Sequence, residues 1–118
     1  MVISEGYNPK FDLDLSFGQT YEKKLHGLLT EKGKIEVKAD RMSHKTGNLV
    51  IEFESRGKPS GIETTESDYW FYWIVGLDIG IMVPILKLKE LVKNARVVSG
   101  GDNGTSRMYL VPVENILK

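Results

Sequence analysis

Five charged residues on two neighbouring predicted strands carry most of the chemical potential of this chain. Glu36, Lys38 and Asp40 alternate with Ile35, Val37 and Ala39. Further on, Glu52 and Glu54 share a side with Val50, while Leu49, Ile51 and Phe53 take the other. Both patterns follow the two-residue side-chain period of a strand. The whole segment 34–58 reads as a β-hairpin, with Thr46-Gly47-Asn48 as its turn signal. If the charged sides of the two strands coincide, four carboxylates and one ammonium gather in one small place. Two carboxylates about 4 Å apart repel by roughly 4 kcal/mol at an effective dielectric near 20. A hard divalent cation held by oxygen ligands offsets that repulsion.

The elements that must position these groups can be read along the 118 residues. The alternating Phe11-Asp12-Leu13-Asp14-Leu15 suggests a short edge strand or an extended lead-in. Ser16 followed by Gln19 forms a capping-box pattern. Tyr21, Leu25, Leu28 and Leu29 then recur at helical spacing, which predicts a helix over 17–31 that Gly33 stops. Strands are expected at 34–40 and 48–56, followed by a Gly/Pro/Ser loop in which Thr65 and Asp68 could cap a helical turn. The run Tyr69–Gly76 is apolar on both faces and predicts a central strand covered on both sides. A short strand over 80–83, a helix over 85–95 opened by Pro84, and a last strand over 107–112 complete the series. The fold class implied is α/β, in αβββαβ order, with a mixed central sheet flanked by helices. The length suits a single domain over 1–118.

Composition narrows the function classes. Without cysteine there is no disulfide framework, thiolate zinc site or cysteine nucleophile. Sixteen basic and sixteen acidic residues balance, which argues against a purely electrostatic nucleic-acid binder. Local basic patches remain: Arg56 and Lys58 after the second strand, and Lys87, Lys89, Lys93 and Arg96 along the later helix. The N-terminal residues lack an apolar segment of leader length, and the stretch 69–83 is broken by Asp78 and too short to span a bilayer. No membrane association and a cytoplasmic location are therefore expected.

These features resemble the PD-(D/E)xK nuclease superfamily, the restriction-endonuclease-like enzymes. The motifs are Glu36-Val37-Lys38-Ala39-Asp40, Thr46-Gly47-Asn48 leading to Glu52, and Lys58-Pro59-Ser60-Gly61-Ile62, a series like that of small phage-type proteins of the superfamily. They fall within residues 16–76; the remainder is similar only in element order. The resemblance implies a Mg²⁺-dependent endonuclease that hydrolyses DNA, with Mn²⁺ as a substitute ion. It implies Asp40 and Glu52 as metal ligands, supplemented by Glu22 on the first helix. The position where the superfamily usually has its lysine is Glu54. Either Glu54 serves there, as glutamate does in some restriction enzymes, or Lys38 on the neighbouring strand takes the lysine role. A homodimer would supply the two sites that cutting a duplex or branched DNA needs.

Each of these features also has a plainer interpretation. The acidic strands could be a solvated face with ordinary cross-strand ion pairs. Glu22 and His26, four residues apart on a helix, could simply be solvated, and His44 could be loop filler. The segment Lys58–Gly61 could offer Ser60 and backbone N–H groups to a phosphate, with Arg56 and Lys58 as further substrate contacts, or merely connect two strands. The aromatics Tyr69 to Trp73 fit a buried strand better than a base-stacking platform. Ser99-Gly100-Gly101-Asp102 lacks the Gly-Lys-Ser/Thr of a phosphate-binding loop. A catalytically inactive module of the same fold, binding nucleic acid or a protein, is the alternative to the nuclease.

Overall fold

The two acidic strands do not pair with each other. In the computed structural model, which describes residues 9–118 and side chains from Leu15 onward, they belong to different sheets. β1 (Ile35–Asp40) lies parallel to β4 (Tyr69–Ile74), which is antiparallel to β5 (Ile79–Pro84). This mixed sheet has the order β1-β4-β5. β2 (Asn48–Ser55) lies in an antiparallel sheet of order β3-β2-β7-β6, with β3 at Lys58–Pro59, β6 at Arg96–Gly100 and β7 at Ser106–Pro112. The expected hairpin over 34–58 is therefore corrected to two strands that part company at Asp40.

The cause of the separation is local. The Asp40 carboxylate accepts the backbone N–H groups of Met42 and Ser43 at 2.6 and 3.1 Å. This Asx turn leads at once into a four-residue helix, α2 (Ser43–Thr46), so β1 cannot continue into a tight hairpin loop. Its edge pairs instead with the aromatic strand, in a register that sets Ile35, Val37 and Ala39 beside Tyr69, Phe71 and Trp73. The opposite side sets Glu36 beside Trp70, Lys38 beside Tyr72 and Asp40 beside Ile74.

Three helices are described in all. α1 (Pro9–Thr30) belongs to a unit of residues 1–32, and everything from Gly33 onward forms a second unit. The segment expected to be extended, Phe11–Leu15, is helical. Pro9 occupies the first helical position, and once nucleated a helix gains one hydrogen bond per added residue, which outweighs five residues of alternation. Ser16 consequently lies inside the helix, where its carbonyl accepts the Thr20 hydroxyl at 3.0 Å. α3 (Ile85–Val92) buries Ile85, Leu88 and Val92, and ends three residues before the expected boundary. Thr65 and Asp68 cap no helix; the Thr65 hydroxyl accepts the Ser67 N–H at 3.2 Å.

One apolar core joins both sheets of the second unit. Leu49, Ile51 and Val111 come from the antiparallel sheet, and Trp70, Tyr72, Ile74 and Val83 from the mixed one. Ile62, in a 3-10 turn after β3, and the buried face of α3 complete it. β4 is central in its sheet but covered chiefly on one side: Trp70 is 1% exposed while Trp73 is 39% exposed. No helix among the described residues is long and apolar enough to cross a membrane.

Candidate functional site

Where β1 ends against β2, an open cavity of about 610 Å³ forms. Lys38, Ala39, Asp40, Arg41 and Met42 line it from β1 and the turn beyond, Trp70 and Tyr72 from β4, and Val50 and Glu52 from β2. Of the four carboxylates expected to converge, Asp40 and Glu52 line this cavity, from different sheets. Glu36 and Glu54 do not line the cavity.

The departure of Glu54 has a definite origin. The β2–β7 ladder slips between Glu52 and Glu54, so that Glu52 faces Met108 and Glu54 faces Arg107. Met108 and Arg107 are consecutive, hence on opposite sides of β7, and the two glutamates are on opposite sides of the sheet as well. The extra residue of this β-bulge is Phe53. Its ring stacks on Tyr109 with centroids 4.2 Å apart. Glu54 meets the Arg107 guanidinium at 3.4 Å, on the side away from Glu52. The shared side expected for Glu52 and Glu54 is thus corrected by a bulge.

Asp40 is held on both oxygens. Besides the two N–H groups on Oδ1, its Oδ2 accepts the Tyr72 hydroxyl. The Tyr72 oxygen in turn accepts the Val50 N–H at 3.0 Å. Burial pushes the Tyr72 phenol well above its ordinary range, and its hydrogen bond to Asp40 adds to that. The folded state therefore holds the phenolic proton more tightly than the unfolded chain does. The resulting stabilisation is complete below the unfolded value of 10.0 and falls as pH rises above it. Urea unfolding followed from neutral pH to about pH 11 should show this alkaline loss in the wild type. It should be much reduced in Tyr72→Phe, which starts about 2 kcal/mol less stable for want of two partly buried hydrogen bonds. Parallel alkaline curves for the two proteins would contradict it.

Glu52 is held by the segment Lys58–Gly61. The Ser60 hydroxyl donates to Glu52 Oε2 at 3.1 Å, and the Ser60 N–H donates to the Phe53 carbonyl at 3.0 Å. Lys38 crosses over the Trp70 ring, its ammonium 5.4 Å from the centroid. Arg41 is exposed beside Asp40 on the cavity wall. Arg56 and Lys58, expected to touch substrate, are exposed at the β2–β3 turn and do not line the cavity. Glu22 and His26 lie one turn apart on α1. His44, on α2, lies against Gly76.

The donor set can be tested against a divalent ion. Among the described residues no group of three or more His, Asp or Glu side chains forms a cage. An ionised carboxylate offers about four lone-pair positions. Asp40 uses three on Met42, Ser43 and Tyr72, and Glu52 uses one on Ser60. What remains falls short of the six to eight oxygens that Ca²⁺ takes.

The sequence pattern does not single out Arg41, and it marks Trp70 and Tyr72 only as members of a buried aromatic strand. The signal for Tyr72 was present: alternation places it with Trp70 and Ile74 on a buried face, and a buried phenol needs a partner. No protein-family model, curated protein or solved structure matches the chain.

Proposed function

We propose that the protein is a Mg²⁺-dependent phosphodiesterase acting on DNA. The observation that carries this reading is the common cavity into which Asp40, Glu52 and Lys38 come from two separate sheets. Asp40 and Glu52 would hold the ion, and Ser60 engages one of the Glu52 oxygens. A bound Mg²⁺ would supply polarisation of a phosphoryl oxygen and a water of lowered pKa. Lys38 offers its ammonium to the negative charge that develops on the phosphoryl oxygens. Arg41 offers a guanidinium to an adjacent phosphate, a contact that positions the strand without reading its sequence. Glu54, turned towards Arg107, takes no part, so Lys38 fills the lysine role. Two copies of the chain would serve the two strands of a duplex.

The test is Mg²⁺- and Mn²⁺-dependent cleavage of duplex and branched DNA. Glu52→Gln should abolish cleavage, and Lys38→Met should slow it by about a hundredfold, as loss of one electrostatic stabiliser does. Cleavage by Glu52→Gln at the wild-type rate would overturn the site. A second reading is a non-catalytic binding module. It is favoured by the three hydrogen bonds that already engage Asp40. It requires DNA or protein binding with no heat of Mg²⁺ or Mn²⁺ binding in calorimetry.

A further inference from the structure

We propose that Tyr72 is the positioning residue that fixes Asp40 and Glu52 relative to each other across the boundary between the two sheets. The inference rests on the metal-site reading above. Asp40 ends a strand of one sheet and Glu52 lies in a strand of the other, and β1 and β2 share no ladder. Backbone pairing therefore cannot set the distance between the two carboxylates. Beyond the apolar core that the two sheets share, one oxygen ties the two strands at the site itself: the Tyr72 hydroxyl donates to Asp40 Oδ2 and accepts the Val50 N–H, two residues before Glu52 on the same strand. The Val50 N–H is available because β3 pairs with β2 only at Glu54 and Ser55, leaving this stretch of the β2 edge without a strand partner.

Tyr72 is suited to the task. It is 2% exposed, lies between Trp70 and Ile74 along β4, and sits directly across from Lys38 in the β1–β4 register. Its ring is clamped by the core, so the hydroxyl has a fixed address to which both strands tie. Ser60 acts differently. It orients the Glu52 side chain from a loop attached to the same strand, and cannot influence where Asp40 lies.

The experiment is Mn²⁺ binding to the intact protein, followed by electron paramagnetic resonance, for wild type, Tyr72→Phe and Leu88→Ala. Leu88 is fully buried on α3 and does not line the cavity, so its truncation loosens the core without touching the site. Tyr72→Phe should weaken Mn²⁺ binding by about tenfold or more, as loss of a group that orients a metal ligand does, and should alter the Mn²⁺ spectrum. Leu88→Ala should leave both unchanged. In the unsubstituted protein, saturating Mg²⁺ should shift the Val50 amide resonance. A wild type that binds no Mn²⁺ overturns the metal reading and this inference with it. Wild-type Mn²⁺ binding that Tyr72→Phe retains in full, that Leu88→Ala weakens equally, or that leaves the Val50 amide unmoved overturns the role of Tyr72 alone.

Discussion

Asp40→Asn is expected to abolish Mn²⁺ binding and cleavage while costing only about 1 kcal/mol of stability, whereas Asp40→Ala should lose both function and about 3 kcal/mol. The contrast follows from the two duties of this carboxylate. Its Oδ1 closes the Asx turn through Met42 and Ser43, and its Oδ2 receives the buried Tyr72 hydroxyl. Asparagine keeps an oxygen for the turn. Its amide can donate to the Tyr72 oxygen beside the Val50 N–H, which partly replaces the bond the phenol gave to Asp40; the phenolic proton still loses its acceptor, and that is the source of the cost of about 1 kcal/mol. The negative charge, which a divalent ion requires, is gone. Alanine removes the turn acceptor, a loss of about 1 kcal/mol, and leaves the buried phenol without an acceptor, a further loss of about 2 kcal/mol. Inactivity of the alanine variant alone would therefore be ambiguous; the asparagine variant separates chemistry from folding. Equal stability of the two variants in urea would show that the Asx turn and the Tyr72 bond contribute little. Full cleavage by Asp40→Asn would remove Asp40 from the site.

The elements were far more legible in the sequence than their partners. Period-two alternation locates β1 and β2 within a residue, and the continuous apolar run locates β4 within two, because both patterns are properties of the strand itself; β7 also lies within a residue of its expected bounds. β6 escaped because Arg96-Val97-Val98 is a short apolar run between a helix and a glycine-rich turn, with no alternation of its own. Pairing is another matter. Nothing in the composition of Ile35–Asp40 distinguishes an antiparallel neighbour at Asn48–Ser55 from a parallel one at Tyr69–Ile74. The parallel neighbour is favoured by the Asx turn at Asp40, which leads the chain away from a hairpin, and by the buried Tyr72 hydroxyl that takes the Asp40 carboxylate. The same holds for the bulge at Phe53. Glu52-Phe53-Glu54 continues the alternation without interruption, so nothing local announces that the second glutamate crosses to the other side. Asp40 and Glu52 line one cavity, by a route the sequence pattern did not contain. They come to one cavity because the two sheets share a core, and Tyr72 ties the sheets at that point.

Gly61→Ala is expected to be among the most damaging single substitutions in the second unit, and Gly57→Ala provides its control. Both glycines have positive φ, 53° at Gly61 and 77° at Gly57, so alanine at either position bears the left-handed backbone penalty of about 1 kcal/mol. Around Gly57 there is open space: a Cβ would have no neighbour within 4 Å. At Gly61 a Cβ would lie 2.1 Å from the Glu52 carbonyl oxygen and 2.8 Å from its carbon. These are backbone atoms of a core strand, flanked by Ile51 at 0% exposure, and cannot turn aside as a side chain would. Either β2 shifts or the 3-10 turn carrying buried Ile62 lifts from the core. An overpacking penalty of about 3 kcal/mol then adds to the backbone penalty, giving about 4 kcal/mol in all. For a unit of this size the melting temperature should fall on the order of 20 °C, against about 5 °C for Gly57→Ala. The displacement also falls on the residue that matters for the site, because Ser60 and Gly61 together hold the side chain and the backbone of Glu52. Mn²⁺ binding should therefore be lost from Gly61→Ala even at temperatures where it remains folded, and preserved in Gly57→Ala. If the two variants melt together, the close approach of Gly61 to β2 does not exist in solution, and the geometry assigned to Glu52 fails with it.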